Sequence, residues 1–368
     1  MSEKYSNVYF VTGGGTGGHI YPAMAVADAL SEEAKVYYVG NRHNMEYGLA
    51  NVKGYKFLHV GVSGMPRKLS PKFFYWGVRL VRAILYSIRY IKKYKPKAVF
   101  ATGGYVSAPM IFACIMTKTP YMMHDCDAMP GLVTRRLCKR AKYVSLAFEK
   151  AKRFIPNRRT VVTGNPIRKE FSTLTKDEAR SIMGLENKLT LAIMGGSQGA
   201  KSINNTAVEI IKEFIQQYKM QVIFQTGKKN YDEIIEKLKL IYPAWEQEGA
   251  LIVKPYFADM ISVLKSSDIV VSRAGSLSLS EICASGAAPI LVPYPHAAAN
   301  HQRINAKCLV EMGACIYVED KELDPNKLRE VLNQLLSNPV KMNYLKQNTS
   351  YLAKFDATER IVECLKSL

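Results

Sequence analysis

Short apolar runs alternate with amphipathic stretches along the whole chain, and most of these runs end in glycine or polar residues. The first run, 8–15, leads into a predicted helix near 22–30, and 34–40 is the next predicted strand. Further predicted strands are KAVFATGG, TPYMMHD, KYVSLAF, LTLAIMGG, QVIFQTG, ALIVKPY, DIVVSRAG and APILVPY. Strands that alternate with helices predict parallel sheets whose faces are covered by helices.

The second half of the chain repeats the plan of the first half. A shift of 181 residues places the glycine-rich turn at 14–18 on a similar turn at 195–199, and each turn separates an apolar run from a helical pattern. At about 150 residues per domain, 368 residues predict two domains. We therefore predict an α/β fold of two Rossmann-like parallel-sheet domains facing a central cleft, with domains at 1–165 and 166–341. The helical stretch 342–368 is expected to pack back on the first domain.

One amphipathic stretch, 73–95, predicts a long helix. The apolar positions that recur every three or four residues, and that we expect to cover the sheet, are Phe73, Trp76, Leu80, Ile84, Ile88 and Ile91. Aromatic side chains at its start lie beside basic residues, a combination that suits the interface of a bilayer. The expected membrane contacts are Phe73, Phe74, Trp76, Arg67, Lys68 and Lys72.

The formal net charge of +20 is concentrated in one part of the chain. Residues 47–165 carry 23 basic and 3 acidic side chains, whereas residues 166–368 carry 25 and 23. A segment with so little acidic charge attracts polyanions such as nucleic acid or an anionic membrane surface. A solvated basic face without a partner is the alternative.

Cysteine usage and the lengths of the apolar runs limit the class of protein further. Seven cysteines without a C-x-x-C pair argue against a disulfide framework or a zinc ribbon and favour a reducing compartment. The first residues lack the pattern of a signal peptide, and no uncharged apolar run approaches about 18 residues. Membrane contact is therefore expected to be peripheral.

The glycine-rich turns are candidate phosphate sites, because glycine lets the backbone approach an anion and the following helix start offers free N–H groups. Tight packing is the alternative role of such turns. Neither turn fits a dinucleotide fingerprint well, since the strand after the first turn ends without an acidic residue, and the chain has no G-x-x-x-x-G-K-[ST] string. NAD and P-loop nucleotide sites are therefore not expected.

Two later stretches carry polar groups at predicted helix starts. In 268–286, a serine at every second position of 276–280 offers hydroxyls and amides to a diphosphate, and Glu281 suits the two hydroxyls of a ribose. An ordinary acidic residue at a helix start is the alternative for Glu281. In 293–306, Gln302 and Asn305 share a helix face and are placed to hydrogen-bond sugar hydroxyls, with a capped turn as the alternative.

Two histidines are candidates for the acid or base of a reaction. His19 follows the first glycine-rich turn, and His124 begins the string HDCD at a strand end, where parallel sheets place ligands. A packed or capping histidine is the alternative for either. Asp125 and Asp127 spell D-x-D, which binds a divalent cation in some glycosyltransferases, but alternate side chains of an extended chain point apart from their neighbours. We therefore expect no metal.

Seven strings in order resemble those of the MurG-type N-acetylglucosaminyltransferases. They are GGGTGGHIYPAMAVA, TGGYVSAP, HDCDAMPG, GNPIR, GGSQGAKSIN, SRAGSLSLSE and PYPHAAANHQRINA, which span roughly residues 8–316. The resemblance implies a two-domain GT-B fold and inverting transfer of N-acetylglucosamine from its UDP derivative to the 4-hydroxyl of undecaprenyl-diphospho-N-acetylmuramoyl-pentapeptide. This is the last intracellular step of peptidoglycan precursor synthesis, at the cytoplasmic face of the bacterial cell membrane. The implied partners are the two substrates and anionic phospholipid, with no cofactor and no nucleic acid.

Position by position, the resemblance implies a set of contacts with the UDP-sugar donor. Positions expected near the sugar or the diphosphate are Thr16, Gly17, Gly18, Arg168 and Ser197. Phe257 is expected beside the uracil. The expected contacts with diphosphate, ribose and sugar are Ser276, Leu277, Ser278, Leu279, Ser280, Glu281 and Gln302.

The chain departs from the family at one motif, since H-E-Q-N is usual where it has HDCD at 124–127. Asp127 replaces an Asn that contacts the donor sugar, so the position gains a charge and loses a hydrogen-bond donor. The reaction needs a base for the acceptor hydroxyl and a cation or dipole for the departing UDP. His19 is the expected base, with Asp125 or His124 as second choice.

Other functions stay open at this point. A related glycosyltransferase acting on diacylglycerol would share the donor turns and the basic surface. A non-catalytic nucleic-acid-binding protein would use the basic segment but would leave the glycine-rich turns without a role. A UDP-sugar epimerase is a third alternative, disfavoured by the basic aromatic rim.

Overall fold

The alternating pattern folds into two parallel sheets, one in each of two structural units. The computed structural model describes residues 7–66, 68, 70–157 and 159–368. One unit comprises Met1–Arg168 with Lys354–Leu368, and the other comprises Lys169–Ala353. These divisions fall a few residues after the expected 165/166 boundary and twelve residues after the expected 341/342 boundary.

The first unit contains seven strands and most of the basic segment. Its strands are β1 (Val8–Thr12), β2 (Lys35–Gly40), β3 (Lys56–His59), β4 (Ala98–Ala101), β5 (Tyr121–Asp125), β6 (Tyr143–Leu146) and β7 (Thr160–Val162). Its helices are α1 (Gly17–Ser31), α2 (Met45–Val52), α3 (Pro71–Tyr94), α4 (Gly104–Thr117) and α5 (Leu132–Leu137), with 3-10 turns at Cys138–Arg140 and Glu149–Phe154. All strands are parallel, in the order β3-β2-β1-β4-β5-β6-β7.

The second unit repeats this plan with six parallel strands. They are β8 (Thr190–Met194), β9 (Gln221–Gln225), β10 (Leu251–Lys254), β11 (Ile269–Ser272), β12 (Ala288–Leu291) and β13 (Ile316–Tyr317), in the order β10-β9-β8-β11-β12-β13. The first helices are α6 (Glu170–Thr173), α7 (Lys176–Met183), α8 (Lys201–Tyr218), α9 (Tyr231–Ile241), α10 (Trp245–Glu248) and α11 (Met260–Ser266). The others are α12 (Ser276–Ser285), α13 (His301–Glu311), α14 (Pro325–Leu336) and α15 (Pro339–Tyr351), with 3-10 turns at Ala298–Asn300 and Asp320–Glu322.

Both faces of the first sheet are buried, which explains why its strands are continuous apolar runs rather than alternating ones. Phe10 and Val99 belong to one core cluster, whereas their neighbours Tyr9 and Phe100 belong to a second cluster on the opposite face. The predicted parallel α/β architecture is therefore confirmed. The internal repeat is confirmed too, because β1 and β8 occupy the same position in their sheets and each leads through a glycine-rich turn into a helix.

The sequence analysis did not predict three of the strands, and all three are outermost strands of their sheets. β3 and β7 are the two outer strands of the first sheet, and β13 is an outer strand of the second. Each has only two to four residues. β3 begins with Lys56 and ends with His59. A short edge strand with polar ends gives no apolar run for the pattern to detect.

The C-terminal stretch differs from expectation, because 342–368 is two helices rather than one. α15 belongs to the second unit and buries Leu345 and Thr349. A further helix, α16 (Ala357–Lys366), belongs to the first unit, where it packs against α1 and buries Ile361 and Leu365. α15 and α16 bury side chains in different units, so the predicted single helix is interrupted between them.

None of the helices in the described part of the chain combines the length and hydropathy needed to cross a bilayer.

Candidate active site

The first glycine-rich turn lies at the carboxyl end of β1, against the end of β4. A Cβ built on Gly13 would lie 2.0 Å from Thr102 Oγ1 and 2.6 Å from the carbonyl oxygen of His19. The Thr102 hydroxyl donates to that same carbonyl at 2.6 Å. Gly15 has φ +90°, which favours glycine. The turn therefore needs glycine for close backbone approach, which is also the property that admits a phosphate.

The imidazole of His19 is held in one tautomer by a backbone carbonyl. Its Nδ1 lies 2.8 Å from the carbonyl oxygen of Thr102, which can only accept, so Nδ1 carries the proton. Within the described residues nothing hydrogen-bonds Nε2, and the side chain is partly exposed. Neutral His19 thus presents an unprotonated nitrogen, the arrangement that a general base requires.

His124 is placed differently, which corrects the expectation that it could serve as a base. Its side chain is fully buried, with Nδ1 2.8 Å from Ser145 Oγ and Nε2 3.0 Å from Asn165 Oδ1. The Asn165 oxygen accepts from Nε2–H, so Nδ1 accepts from the Ser145 hydroxyl. Burial lowers the pKa of His124 to about 4. Neither nitrogen is available to take a proton from a substrate hydroxyl.

Asp125 organises the turn that follows β5. One carboxylate oxygen accepts from the Asp127 backbone N–H at 3.2 Å, and the other accepts from the Gly131 N–H at 2.9 Å. Burial raises the pKa of Asp125 to about 6, and the Asp127 carboxylate acts in the same direction. Its side chain is 2% exposed, so Asp125 fits a role in shaping this turn better than direct proton transfer.

The HDCD string also brings three possible metal ligands together. Ligand atoms of Asp125, Cys126 and Asp127 lie within 4.8 Å of one another. The expectation that alternate side chains would point apart is wrong here, because the chain turns after Asp125 instead of staying extended. Both Asp125 oxygens are already occupied by backbone N–H groups.

A buried carboxylate behind the glycine-rich turn was missed by the sequence analysis. Glu46 is fully buried, and its Oε1 accepts from the Asn41 N–H and from the Asn44 side-chain amide, both at 3.2 Å. A Cβ on Gly14 would lie 2.6 Å from Oε1. Asn44 also donates to the Tyr105 hydroxyl at 3.2 Å. The available signal was that Glu46 is the last acidic residue before a long stretch, 47–124, without any.

The other expected residues of the first unit lie at helix and unit boundaries. Thr16 is the exposed N-cap residue of α1, with Gly17 and Gly18 in the first turn next to His19. Arg168 is partly buried and is the last residue of the first stretch of this unit. Asp127 is partly buried beside Cys126.

The glycine-rich turn of the second unit is equally crowded. A Cβ on Gly195 would lie 2.2 Å from the Ala200 nitrogen, and one on Gly199 would lie 2.0 Å from the Thr226 oxygen. Ser197 is exposed at the tip of this turn.

A glutamine that the sequence analysis missed links this turn to the expected uracil contact. Gln225 Nε2 donates to the Gly196 carbonyl at 3.2 Å, and its Oε1 accepts from the Phe257 N–H at 2.9 Å. The Phe257 side chain is only 5% exposed. Gln225 ends a strand at its carboxyl edge, which is the only sequence signal that marks it.

The start of α12 offers the backbone groups that the sequence analysis expected. Gly275 is the N-cap residue and supplies no side-chain cap to the first turn of the helix. Ser278, Ser280 and Glu281 are partly exposed, as is Leu277. The side chains of Ser276 and Leu279 are buried.

Gln302 and Asn305 share a face of α13, as expected, and both hold the backbone at Ala274. Gln302 Oε1 accepts from the N–H groups of Ala274 (3.2 Å) and Tyr294 (3.0 Å). Asn305 is fully buried and donates to the Ala274 carbonyl at 3.4 Å. Gln302 keeps its partial exposure and its amide group, whereas Asn305 is too deep to reach a sugar.

A third missed residue, Arg273, fixes the loop that follows β12. Its guanidinium pairs with Asp320 at 2.5 Å and donates to the carbonyls of Val292 and Pro293 at 3.1 and 3.3 Å. It also lies over the Tyr294 ring, 5.6 Å from the centroid. Arg273 therefore positions both loops that Gln302 connects.

α3 carries a second apolar stripe that the sequence analysis did not identify. Ala83, Ser87 and Ile91 are buried, and Leu80 and Ile88 pack on the core, as the inward stripe required. The opposite side exposes Phe74 (78%), Val78 (52%), Val81 (57%) and Leu85 (54%). These four residues are called the outer face of α3. With Ser70, Phe73, Gly77 and Arg82 they line a groove of about 820 Å³.

The structure exposes some of the expected membrane residues and partly buries others. Phe74 belongs to the outer face, and Lys68 and Lys72 are exposed near it, whereas Phe73 is partly buried. Trp76 is also partly buried, and its indole N–H donates to the Ser63 carbonyl at 2.9 Å, so it fastens α3 to the preceding loop. Arg67 lies outside the described residues.

Comparison with known proteins identifies the family. Residues 9–146 match the model of the glycosyltransferase family 28 N-terminal domain, and residues 190–361 match that of its C-terminal domain. A protein of Desulforamulus reducens is 35% identical over 363 residues, which cover 97% of this chain and 98% of its own. A protein of Caldanaerobacter subterraneus is 36% identical over 365 residues, which cover 98% and 99%. The chain belongs to glycosyltransferase family 28.

Both family 28 relatives are named UDP-N-acetylglucosamine–N-acetylmuramyl-(pentapeptide) pyrophosphoryl-undecaprenol N-acetylglucosamine transferase. The crystal structure of Acinetobacter baumannii MurG shares the fold, with a TM-score of 0.78 at 24% identity over 98% of this chain and 100% of that one. The resemblance to MurG-type enzymes and the expected GT-B fold class are thus confirmed.

The burial of His124 leads to a prediction about its titration. We expect its ring to stay neutral at pH 5 and above, with protonation only near pH 4. Because the pKa of the folded state lies below the ordinary value of about 6.5, the unfolded chain binds more protons between these values. The stability conferred by neutral His124 is therefore complete above about pH 6.5 and is lost as the pH falls toward 4.

The measurement is NMR of histidine ring carbons across pH 4–8, with the His124 signal assigned by its loss in His124→Gln. A titration midpoint near 6.5 for that signal in the folded protein would contradict the buried position.

Proposed function

We propose that this family 28 enzyme transfers N-acetylglucosamine from UDP-N-acetylglucosamine to the 4-hydroxyl of undecaprenyl-diphospho-N-acetylmuramoyl-pentapeptide, with inversion. The observation that carries the proposal is the similarity to transferases of that name over nearly the full length of both chains. Matching lengths leave no domain of those relatives without a counterpart here.

The second unit is proposed to bind the UDP-sugar. Its support is a set of groups suited to a nucleotide diphosphate: the hydroxyl of Ser197 at the tip of a glycine-rich turn, and the start of α12, whose N-cap Gly275 supplies no side-chain cap. Glu281 is proposed to accept from the ribose hydroxyls, and Gln302 to donate to the sugar through its amide. Phe257 is proposed to lie by the uracil, with Asn305 and Leu279 as internal supports rather than ligands.

The first unit is proposed to bind the acceptor and supply the base. His19 Nε2 would take the proton of the 4-hydroxyl as that oxygen attacks the anomeric carbon and the bond to UDP breaks on the opposite side. The hydrogen bond from Nδ1–H to the Thr102 carbonyl supports this role, because it keeps the lone pair on Nε2 and stabilises the imidazolium that forms. Thr16, Gly17, Gly18 and Asp127 are proposed to lie near the transferred sugar.

The departing UDP carries two negative charges on its terminal phosphate. These charges need electrostatic stabilisation. Arg168, Ser197 and the α12 amides are proposed to supply it without a metal ion.

The outer face of α3 is proposed to contact anionic phospholipid at the cytoplasmic face of the cell membrane. Four apolar side chains spaced at 74, 78, 81 and 85 form one continuous stripe, and each is more than half exposed. Arg82 lines the same groove, and Lys68 and Lys72 are exposed basic residues at or just before the start of the helix. An apolar stripe with a basic rim is the composition that lies in a bilayer interface.

The proposed activity is tested by incubating the enzyme with labelled UDP-N-acetylglucosamine and a short-chain muramoyl-pentapeptide diphospholipid. We expect a β-linked disaccharide product, with a rate that stays within about twofold when EDTA is added, because no metal takes part. Diacylglycerol serves as the matched acceptor control. Transfer to diacylglycerol and none to the muramoyl lipid would contradict the proposal.

A second prediction concerns the base. Replacing His19 with Ala should lower kcat by about a hundred- to ten-thousand-fold, the usual contribution of a positioned general base. The dissociation constant for UDP should change by less than about twofold, because the second unit binds it. Single-turnover rates and calorimetric UDP titration measure the two effects. Near wild-type turnover at saturating substrates would eliminate His19 as the base.

A third prediction concerns the outer face of α3. The double variant Phe74→Ser/Val78→Ser should weaken binding to vesicles of anionic phospholipid by at least about tenfold, because both side chains lose the apolar surface they would bury. Leu240→Ser/Val340→Ser is the matched control, since both of these residues are 80% or more exposed in the second unit. Vesicle cosedimentation measures the effect, and equal binding by the two double variants would rule out this surface.

A further inference from the structure

A group of positively charged and N–H-donating side chains lies at the carboxyl ends of β2 and β3, apart from the residues assigned so far. It comprises Arg42, His43, His59 and Arg79 and is called the His59 cluster. The Arg42 backbone N–H donates to His59 Nδ1 at 3.2 Å, and the His43 and His59 rings meet edge to face at 6.4 Å. Arg79 reaches the same place from α3, where it donates to the Gly61 carbonyl at 3.3 Å.

No carboxylate balances this cluster. Neither Arg42 nor Arg79 is within 4.0 Å of an acidic side chain anywhere in the described part of the chain. Burial, followed by the charge of Arg42, lowers the pKa of His59, and His43 and Arg79 act in the same direction. Cationic side chains held together without a counter-charge raise the free energy of the protein unless an anion joins them.

The donors of the cluster are open to a ligand. Arg42 and His43 are exposed, and Arg79 is partly exposed. Because His59 Nδ1 accepts from Arg42, its proton lies on Nε2. A Cβ on Gly61 would come within 3.2 Å of Nε2, so the glycine there, at φ +59°, leaves room beside a ring that also bonds the Gly40 backbone. Two guanidinium groups beside two imidazole rings match the oxygens of a phosphate.

The position of the cluster indicates which phosphate it would bind. On one side, Arg79 and Trp76 tie the 61–63 backbone to α3, whose outer face is the proposed membrane contact. On the other side, Asn44, two residues after Arg42, donates to Tyr105, and a Cβ on Gly15 would lie 3.0 Å from the Tyr105 ring. The cluster therefore lies between the membrane-facing helix and the glycine-rich turn that carries His19.

We propose that the His59 cluster binds the diphosphate of the lipid-linked acceptor. In that substrate the diphosphate separates the lipid chain from the sugar that receives N-acetylglucosamine, so a protein that holds the lipid at α3 and the sugar at His19 must meet the diphosphate between them. The inference rests on the proposed function. A phospholipid headgroup offers the same chemistry, and the experiment separates the two sources.

The test compares Arg42→Gln with Lys92→Gln, which removes one charge from an exposed position about 20 Å along α3 from Arg79. Kinetics are measured without vesicles, on the short-chain muramoyl diphospholipid. Arg42→Gln should raise the acceptor KM by about tenfold, the loss of one charge-assisted hydrogen bond, with kcat and donor KM within twofold. Lys92→Gln should leave all three within twofold.

Two outcomes overturn the proposal. One is an acceptor KM for Arg42→Gln equal to that of Lys92→Gln. The other is weaker binding of Arg42→Gln to anionic vesicles with an unchanged acceptor KM, which would assign the cluster to phospholipid headgroups.

A measurement independent of turnover keeps this inference separate from the proposed function. Inorganic pyrophosphate is titrated into the protein while the ring signal of His59 is followed by NMR, with assignment from His59→Gln. A saturable shift that is lost in Arg42→Gln supports the site even if the wild type transfers no sugar, in which case only the proposed function fails. No shift of the His59 signal in the wild type overturns the inference.

Discussion

Close backbone approach at glycine is the constraint on which both units depend. A Cβ would come within 2.0 Å of Thr102 Oγ1 at Gly13, and within 2.0 Å of the Thr226 oxygen at Gly199. These contacts let α1 and α8 begin directly after the carboxyl ends of β1 and β8. Thr102 then fixes His19 twice, through its hydroxyl and through its carbonyl. The proposed phosphate site and the orientation of the proposed base thus depend on the same packing.

The fold was largely predictable because strands buried on both faces are continuous apolar runs, and every central strand of the two sheets was found in this way. The edge strands β3, β7 and β13 were not, because they are short and partly polar. The glycine-rich turns and the start of α12 in the candidate site could be located from glycine and serine positions. The burial of His124 could not be predicted, since one residue of register decides whether a strand-end side chain faces ligand or core. The burial of Asn305 on α13 was not evident from the sequence either.

The same limit applies to α3, because a helix can carry two apolar stripes of identical period. The stripe at 80, 88 and 91 packs inward and the stripe at 74, 78, 81 and 85 faces outward. Periodicity detects both but cannot say which one a sheet covers. Charge helps, since the acid-free stretch 47–124 contains the basic rim of this helix and two members of the His59 cluster, His59 and Arg79. Basic residues of this stretch therefore contribute to both of the proposed surfaces.

The hydrogen bonds that hold the proposed base and those that hold the proposed nucleotide site lie in different units. His19 depends on Thr102 and Gly13, all within the first unit, and the acidic Glu46 behind that turn is bonded only to residues of the same unit. The proposed nucleotide side depends on Gln225, Arg273 and Gln302, whose partners all lie in the second unit. The orientation of the proposed base and the geometry of the proposed donor site are therefore held by different hydrogen-bond networks.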